Sequence, residues 1–292
     1  MLLLALVLDQ LGGEPPARLH PVVWMGRLLT WLEAHAPADQ RARLAYGLMT
    51  GCLMPLAWAC LGRLVQRFTP WPVHALALKP TFAGRALLEA GRRVQDGLQA
   101  GRLGDARDDL RALVSRPTAQ LDSPLVAAGA IESLAENLAD SWIAPLIAYA
   151  WGGLGAAYAF RAANTADAMW GYRAEEYEWL GKGPARLDDL LGWLPARLSA
   201  LLLVCAGSRP GPAIAAWRRD AARTASPNAG RPMAVAAGQL GVRLEKPDAY
   251  TLNPGAPQPT AHDLAAARRL VGRAMLLGAA VTLVVCGVRE HG

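Results

Sequence analysis

Three carboxylates recur at every fourth position of one segment. In A-I-E-S-L-A-E-N-L-A-D-S-W-I-A-P-L, residues 130–146, Glu132, Glu136 and Asp140 would share one face of a helix, with Asn137 beside them. Carboxylates this close repel one another unless a cation or a base neutralises them. The face is therefore a candidate Mg²⁺ cradle, since that ion favours a few carboxylates plus phosphate oxygens. Its plain alternative is a solvated acidic helix face. The motif A-E-N-L-A-D at 135–140 is echoed by A-A-N-T-A-D at 162–167, and a tryptophan follows each shortly. The echo adds Asn164 and Asp167, and it could supply two acidic elements facing one phosphate-bearing ligand. In an alanine-rich chain it could equally be coincidence.

Other polar groups stand at apolar boundaries. Arg186, Asp188 and Asp189 precede an apolar run, and Arg197 sits within it. Arginine suits a bidentate grip on phosphate or carboxylate, and an internal Arg–Asp network is the alternative. Tyr172 and Arg173 follow Trp170-Gly171 as candidate pocket residues. Ser226-Pro227-Asn228-Ala229-Gly230 reads as a turn entering a helix, either an anion-binding nest offered by Ser226 and Asn228 or only a cap. His20, before Pro21, is either an acid/base or ligand-contacting group or a structural histidine. No G-x-x-x-x-G-K-[ST], G-x-G-x-x-G or G-x-S-x-G motif occurs.

The elements that must position these groups are apolar. The chain of 292 residues is 53% hydrophobic and 18% charged, with a mean hydropathy of +0.17. That composition points to a membrane protein with sizeable polar loops. A charge buried in such surroundings is costly unless paired or bound, so ionisable residues there are functional candidates. Apolar segments lie near 44–62, 142–160, 190–206 and 271–288. The second holds Pro145, Gly152, Gly153 and Gly155, and the third holds Pro195 and Arg197. These breaks predict broken or re-entrant helices lining a cavity, which keeps the polar motifs on one side.

Between the apolar segments, residues 63–141 carry ten Arg/Lys and nine Asp/Glu, and 207–270 carry nine Arg/Lys and four Asp/Glu. Their arginine places both regions on the cytoplasmic side. Within them, 81–114 has the spacing of solvated amphipathic helices, and 246–260, with four prolines, reads as an extended loop. The predicted fold is thus all-α: a single polytopic membrane domain over 1–292, with amphipathic cytoplasmic helices and broken helices around a polar site. Cys52, Cys60, Cys205 and Cys286 lie in apolar runs and read as small hydrophobes. Residues 1–8 do not read as a cleaved signal peptide. The net charge of +6 suits anionic lipid or substrates; no nucleic-acid-binding signature accompanies it.

An ordered series of motifs resembles the CbiB/CobD family of cobalamin biosynthesis. It comprises L-D-Q-L-G-G-E-P with H-P-V-V-W-M-G-R, S-R-P-T-A-Q-L-D, the acidic segment, A-A-N-T-A-D-A-M-W-G-Y-R, A-R-L-D-D-L-L-G-W-L-P-A-R-L, and S-P-N-A-G-R-P-M-A-V-A-A-G-Q-L-G-V-R-L. Three positions depart from the family pattern: Pro117 for an aspartate, Ala168 for a serine and Gly192 for an asparagine. The resemblance implies a multi-pass protein of the cytoplasmic (inner) membrane with its active site facing the cytoplasm. It would join adenosylcobyric acid to (R)-1-amino-2-propanol or its O-phosphate, with ATP as co-substrate, Mg²⁺ as cofactor, and other enzymes of the pathway as possible partners. On that reading Glu136, Asp140 and Asp167 hold Mg²⁺. Asn137 and Asn164 orient phosphate or amide groups. Arg173, Arg186 and Arg197 grip phosphate or a corrin carboxylate, and Glu132 or Asp188 is the base. His20, Tyr172, Asp189, Ser226 and Asn228 complete the candidate substrate contacts. Two other readings are a non-catalytic corrinoid carrier or scaffold and a Mg²⁺-dependent transferase acting on a lipid diphosphate.

Overall fold

The computed structural model describes residues 1–171 and 175–291. It is 75% helical with almost no strand, as the all-α expectation requires. The helices run α1 (Leu2–Gly12), α2 (Pro21–Ala34), α3 (Gln40–Phe68), α4 (Trp71–Leu78), α5 (Gly84–Gln99), α6 (Leu103–Leu110), α7 (Ser123–Leu138), α8 (Ala144–Trp170), α9 (Lys182–Leu191), α10 (Trp193–Ala206), α11 (Pro210–Asp220), α12 (Gly230–Leu240) and α13 (Ala261–His291). A π-helical turn, Ala139–Ile143, joins α7 to α8, and strands β1 (Leu244–Lys246) and β2 (Tyr250–Leu252) precede α13. The chain packs as two compact units interleaved in sequence. The first takes Met1–Ala83, Ala144–Gly192 and the end from Thr282; the second takes Gly84–Ile143 and Trp193–Val281.

In the first unit, α3 starts where Asp39 accepts hydrogen bonds from Arg41 N and Ala42 N, at 2.9 and 3.2 Å. It packs along α8. The two backbones meet at glycine: a Cβ on Gly62 would stand 2.8 Å from Leu154 O and 2.9 Å from Gly155 Cα. Such close crossings by small residues drive helix association in lipid, where apolar burial gives no advantage over the acyl chains. Helix α8 is broken at Gly152–Gly153, and Gly153 adopts φ 66°, ψ −157°, a backbone region open in practice to glycine alone. The break frees Leu154 N, and Gln66 Oε1 accepts from it at 2.9 Å. An apolar helix can break here because a side chain supplies the missing acceptor.

The second unit is built around α7, which packs on α5, α6, α12 and β1. Asp122 caps it, accepting from Leu125 N at 2.9 Å, and Pro124 occupies its first turn. Helix α5 buries Leu87, Ala90 and Val94, and its other face carries the ion pairs Arg85–Glu89 and Arg92–Asp96, as its amphipathic spacing foretells. The Nε1 of Trp142 donates to Met275 O at 3.0 Å, fixing the π-helical turn against α13. The end of α10 is closed by Gln239 of α12, whose Nε2 donates to Leu203 O and Val204 O, each at 3.1 Å. The proline-rich stretch 246–260, expected as a loop, opens instead with half of an antiparallel hairpin. Leu244 pairs with Leu252 and Lys246 with Tyr250. The turn works because Asp248 takes φ 59°, a conformation that aspartate tolerates.

Among the described residues, three helices are long and apolar enough to cross a membrane: Gln40–Phe68, the run Ser123–Trp170 and Ala261–Val288. A fourth crossing results if the bent pair Lys182–Leu191 and Trp193–Ala206, broken at Gly192, counts as one. Large apolar side chains lie exposed along α3 (Leu53, Leu56, Leu64) and α13 (Leu276, Val284, Val288), a surface suited to acyl chains rather than water. The second of these runs contains the apolar segment expected near 142–160, and α7 with Glu132 and Glu136, then Asp140 of the π-helical turn, lie ahead of it.

Candidate functional site

The acidic segment is not a solvated face. Glu132 is 4% exposed, while Glu136, Asn137 and Asp140 are half-buried. Glu132 is ion-paired with Arg116, Nη2 to Oε2 3.1 Å. Arg116 comes from the segment between α6 and α7, and it lies across α7 only because residue 129 is glycine: a Cβ there would stand 2.6 Å from its Nη2. Ser133 Oγ donates to Leu113 O at 2.7 Å and holds that segment down. The Asn137 amide donates to Ser133 O and Oγ at 3.0 and 3.2 Å, and Ser141 Oγ donates to Asn137 Oδ1 at 3.0 Å. The asparagine of the first N-x-x-D motif is thus locked in place. Asp140 and Ser141 sit in the π-helical turn, whose extra residue resets which side chains face the interior.

The Arg116–Glu132 pair opens into a cavity of about 130 Å³, lined also by Ser115, Glu136, Lys246 and Tyr250. Two buried atoms at its wall, Glu132 Oε1 and Arg116 Nε, make no hydrogen bond within the protein. Buried polar atoms left in this state point to a bound polar group. Burial, and next to it the Glu132 and Glu136 carboxylates, push the Tyr250 phenol well above its usual range. Tyr250 therefore serves the cavity as a proton-bearing donor.

The second N-x-x-D motif lies in the first unit. Asn164 Nδ2 of α8 donates to Asp188 Oδ1 of α9 at 3.2 Å, and Arg161 Nη1 donates to Asn164 Oδ1 at the same distance. Asp189 is half-buried beside Asp188, and Arg186 is exposed on the same helix. Glu136 and Asp140 belong to the second unit and Asp167 to the first. Among the described residues, no three His, Cys, Asp or Glu side chains are grouped to hold a metal ion.

His20 is the N-cap of α2: its Nδ1 accepts from Val22 N at 3.2 Å and its Nε2 pairs with Glu14 Oε2 at 3.0 Å. In the S-P-N-A-G turn, Ser226 Oγ accepts from Asn228 N and Ala229 N at 3.2 and 3.4 Å. Buried Asn228 accepts from Arg197 Nη1 at 3.4 Å. Arg197 also stacks over the Trp193 ring at 4.0 Å. Tyr172 and Arg173 lie outside the described residues.

Sequence reasoning left several charged groups unassigned. Arg116 stands in the S-R-P-T motif, where its neighbour Pro117 drew the attention. Lys246 and Tyr250 sit in the stretch expected to be loop. Lys79 is buried, pairing with Asp9 at 3.1 Å and Glu14 at 2.6 Å. A lone lysine inside A-L-A-L-K-P-T-F was the available signal for it.

Fold and site together define a polytopic helical membrane protein with buried, paired charges around a small polar cavity. The chain belongs to the CobD/CbiB family: the family profile described as CobD/Cbib protein matches residues 2–277. It is 40% identical to the probable cobalamin biosynthesis protein CobD of Thermococcus kodakarensis, across 92% of this chain and 89% of that one. It is 39% identical to the cobalamin biosynthesis protein CobD of Dehalococcoides mccartyi, over 86% of this chain and 85% of that one. The cobalamin biosynthesis protein CbiB of Salmonella typhimurium is 37% identical, over 85% of this chain and 82% of its own. No solved structure matches.

Proposed function

We propose that this chain is an ATP-dependent amide ligase of cobalamin biosynthesis, joining adenosylcobyric acid to (R)-1-amino-2-propanol or its O-phosphate. The observation that carries this reading, beside family membership, is the cavity at Arg116, Glu132, Glu136, Lys246 and Tyr250. Two cations and two carboxylates around about 130 Å³ suit a small amino alcohol, with its ammonium on the carboxylates and its hydroxyl or phosphate on Arg116 and Lys246.

A carboxylate is a poor acyl donor. The terminal phosphoryl group of ATP passes to the corrinoid propionate, giving an acyl phosphate and ADP. The amine then attacks the acyl carbon, and inorganic phosphate leaves as the amide forms. The amine must lose a proton, and Glu132 Oε1, which has no hydrogen-bond partner in the protein, is the acceptor; Asp188 is the alternative base. Mg²⁺ comes in on the nucleotide and needs only one or two protein carboxylates. Glu136 with Asp140, both of the second unit, or instead Asp167 of the first unit alone, would hold it. Arg186 is the candidate grip on phosphate or a corrin carboxylate. On this reading the site faces the cytoplasm from the inner membrane, in keeping with the arginine of the polar regions.

Glu136→Gln tests the cavity assignment. Glu136 is half-buried, and glutamine keeps its size while removing its charge, so the variant should fold, with thermal unfolding as the control, and lose most turnover. Parental turnover would remove the cavity from the reaction.

A further inference from the structure

A second cavity, of about 590 Å³, lies among α10, α11 and α12 of the second unit. Arg197, Arg218 and Arg231 line it, and among the described residues none of the three has an ion-pair partner. Their protein contacts are neutral: Arg197 donates to Trp193 O and Asn228 Oδ1, and Arg231 donates to Pro227 O at 3.2 Å. The neighbouring arginines of α11 contrast with this. Arg219 and Arg223 both pair with buried Asp220, at 2.6 and 3.1 Å. The remaining wall is apolar, formed by Leu201, Val204, Ile214, Trp217 and two alanines. Among the described residues no carboxylate, amide or hydroxyl side chain lines the cavity, so nothing described there would hydrogen-bond a nucleobase or a sugar.

We infer that this cleft binds an anionic phospholipid. The phosphodiester lies on the three guanidiniums, which form charge-assisted bonds with phosphate oxygens, and an acyl chain follows Leu201 and Val204 along α10. Helix α10 belongs to the bent pair counted as a candidate span, and Leu201 is 50% exposed, so the wall is open to lipid. The inference rests on the membrane character of the chain and is independent of the ligase reaction.

The test is native mass spectrometry of the full chain in detergent, equilibrated with equal phosphatidylglycerol and phosphatidylcholine. The parent should retain phosphatidylglycerol in clear excess. Arg218→Gln and Arg231→Gln should each cut that excess by about fivefold, and together by about 25-fold, with thermal unfolding as the folding control. Should the double variant fail to fold, Arg218→Gln, at an exposed position, carries the test alone. Equal retention of the two lipids by the parent, or an excess unchanged in the folded variants, overturns the inference. Displacement of phosphatidylglycerol by millimolar ATP would also overturn it, by giving the arginines to a nucleotide.

Discussion

Removing the Arg116–Glu132 pair one partner at a time, and then whole, separates its two roles. The side chains are 12% and 6% exposed and 3.1 Å apart. Truncating either partner leaves a charge buried without its counter-ion, which costs about 3–5 kcal/mol. For a chain of this size that is a fall in Tm of about 6–15 °C. Replacing both residues with apolar groups of similar volume removes the attraction and both desolvation penalties, so the net cost should be near zero. Arg116→Met and Glu132→Met should therefore each unfold early in detergent, followed by tryptophan fluorescence, and the double variant should recover to within about 1 kcal/mol of the parent. Turnover should behave differently, with all three variants inactive. Additive single effects, each below about 1 kcal/mol, would refute the claim that the pair is buried and coupled. Parental turnover in the double variant would show the pair to be structural only.

Gly62→Leu should destabilise more than Gly62→Ala, and both should lower Tm, because even a Cβ would stand 2.8 Å from Leu154 O. Gly153→Ala should cost about 1–2 kcal/mol in thermal unfolding, since alanine is strained at φ 66°. Burial pushes the Asp220 carboxyl up, but bonds from Arg219 and Asn253 N and the charge of Arg223 outweigh it and hold it below the usual range. A lowered folded value means stability that is present above the unfolded pKa and lost as pH falls through the folded one. Melting temperatures between about pH 6 and pH 3 should fall more steeply for the parent than for Asp220→Asn. Tyr250→Phe should lower turnover with little change in Tm, and the alkaline limb of the rate profile should stay in place, because the Tyr250 phenol is pushed above its usual range.

What could be read from the sequence follows from where the strongest local signals lay. Gly152 and Gly153 inside an apolar run announced the break in α8, whereas the interruption expected at Pro195 and Arg197 falls at Gly192 and α10 runs unbroken through both residues. The apolar segment near 142–160 was legible, and what stayed hidden was the burial of Glu132 and the half-burial of Glu136 and Asp140 just ahead of it. Their burial depends on Arg116 and Gly129, a pairing that no periodicity reveals. The hairpin at 244–252 was overshadowed by four nearby prolines, although Leu244 and Leu252 are its buried positions. Types and spacing thus located the acidic helix and both N-x-x-D motifs. Lys246 and Tyr250 reach the cavity through tertiary contacts alone. The sequence also gives no sign that Asp167 falls in a different compact unit from Glu136.

The most direct measurement is a reaction with the purified chain in detergent, supplied with adenosylcobyric acid, ATP, Mg²⁺ and aminopropanol or its phosphate. The corrinoid is followed by mass spectrometry while components are omitted one at a time. A ligase yields a corrinoid whose mass rises by the amino alcohol minus water, only when ATP and the amine are both present, with ADP and phosphate released in equal amounts. Tight corrinoid binding with no such product and no ATP cleavage would contradict the ligase assignment and leave a carrier.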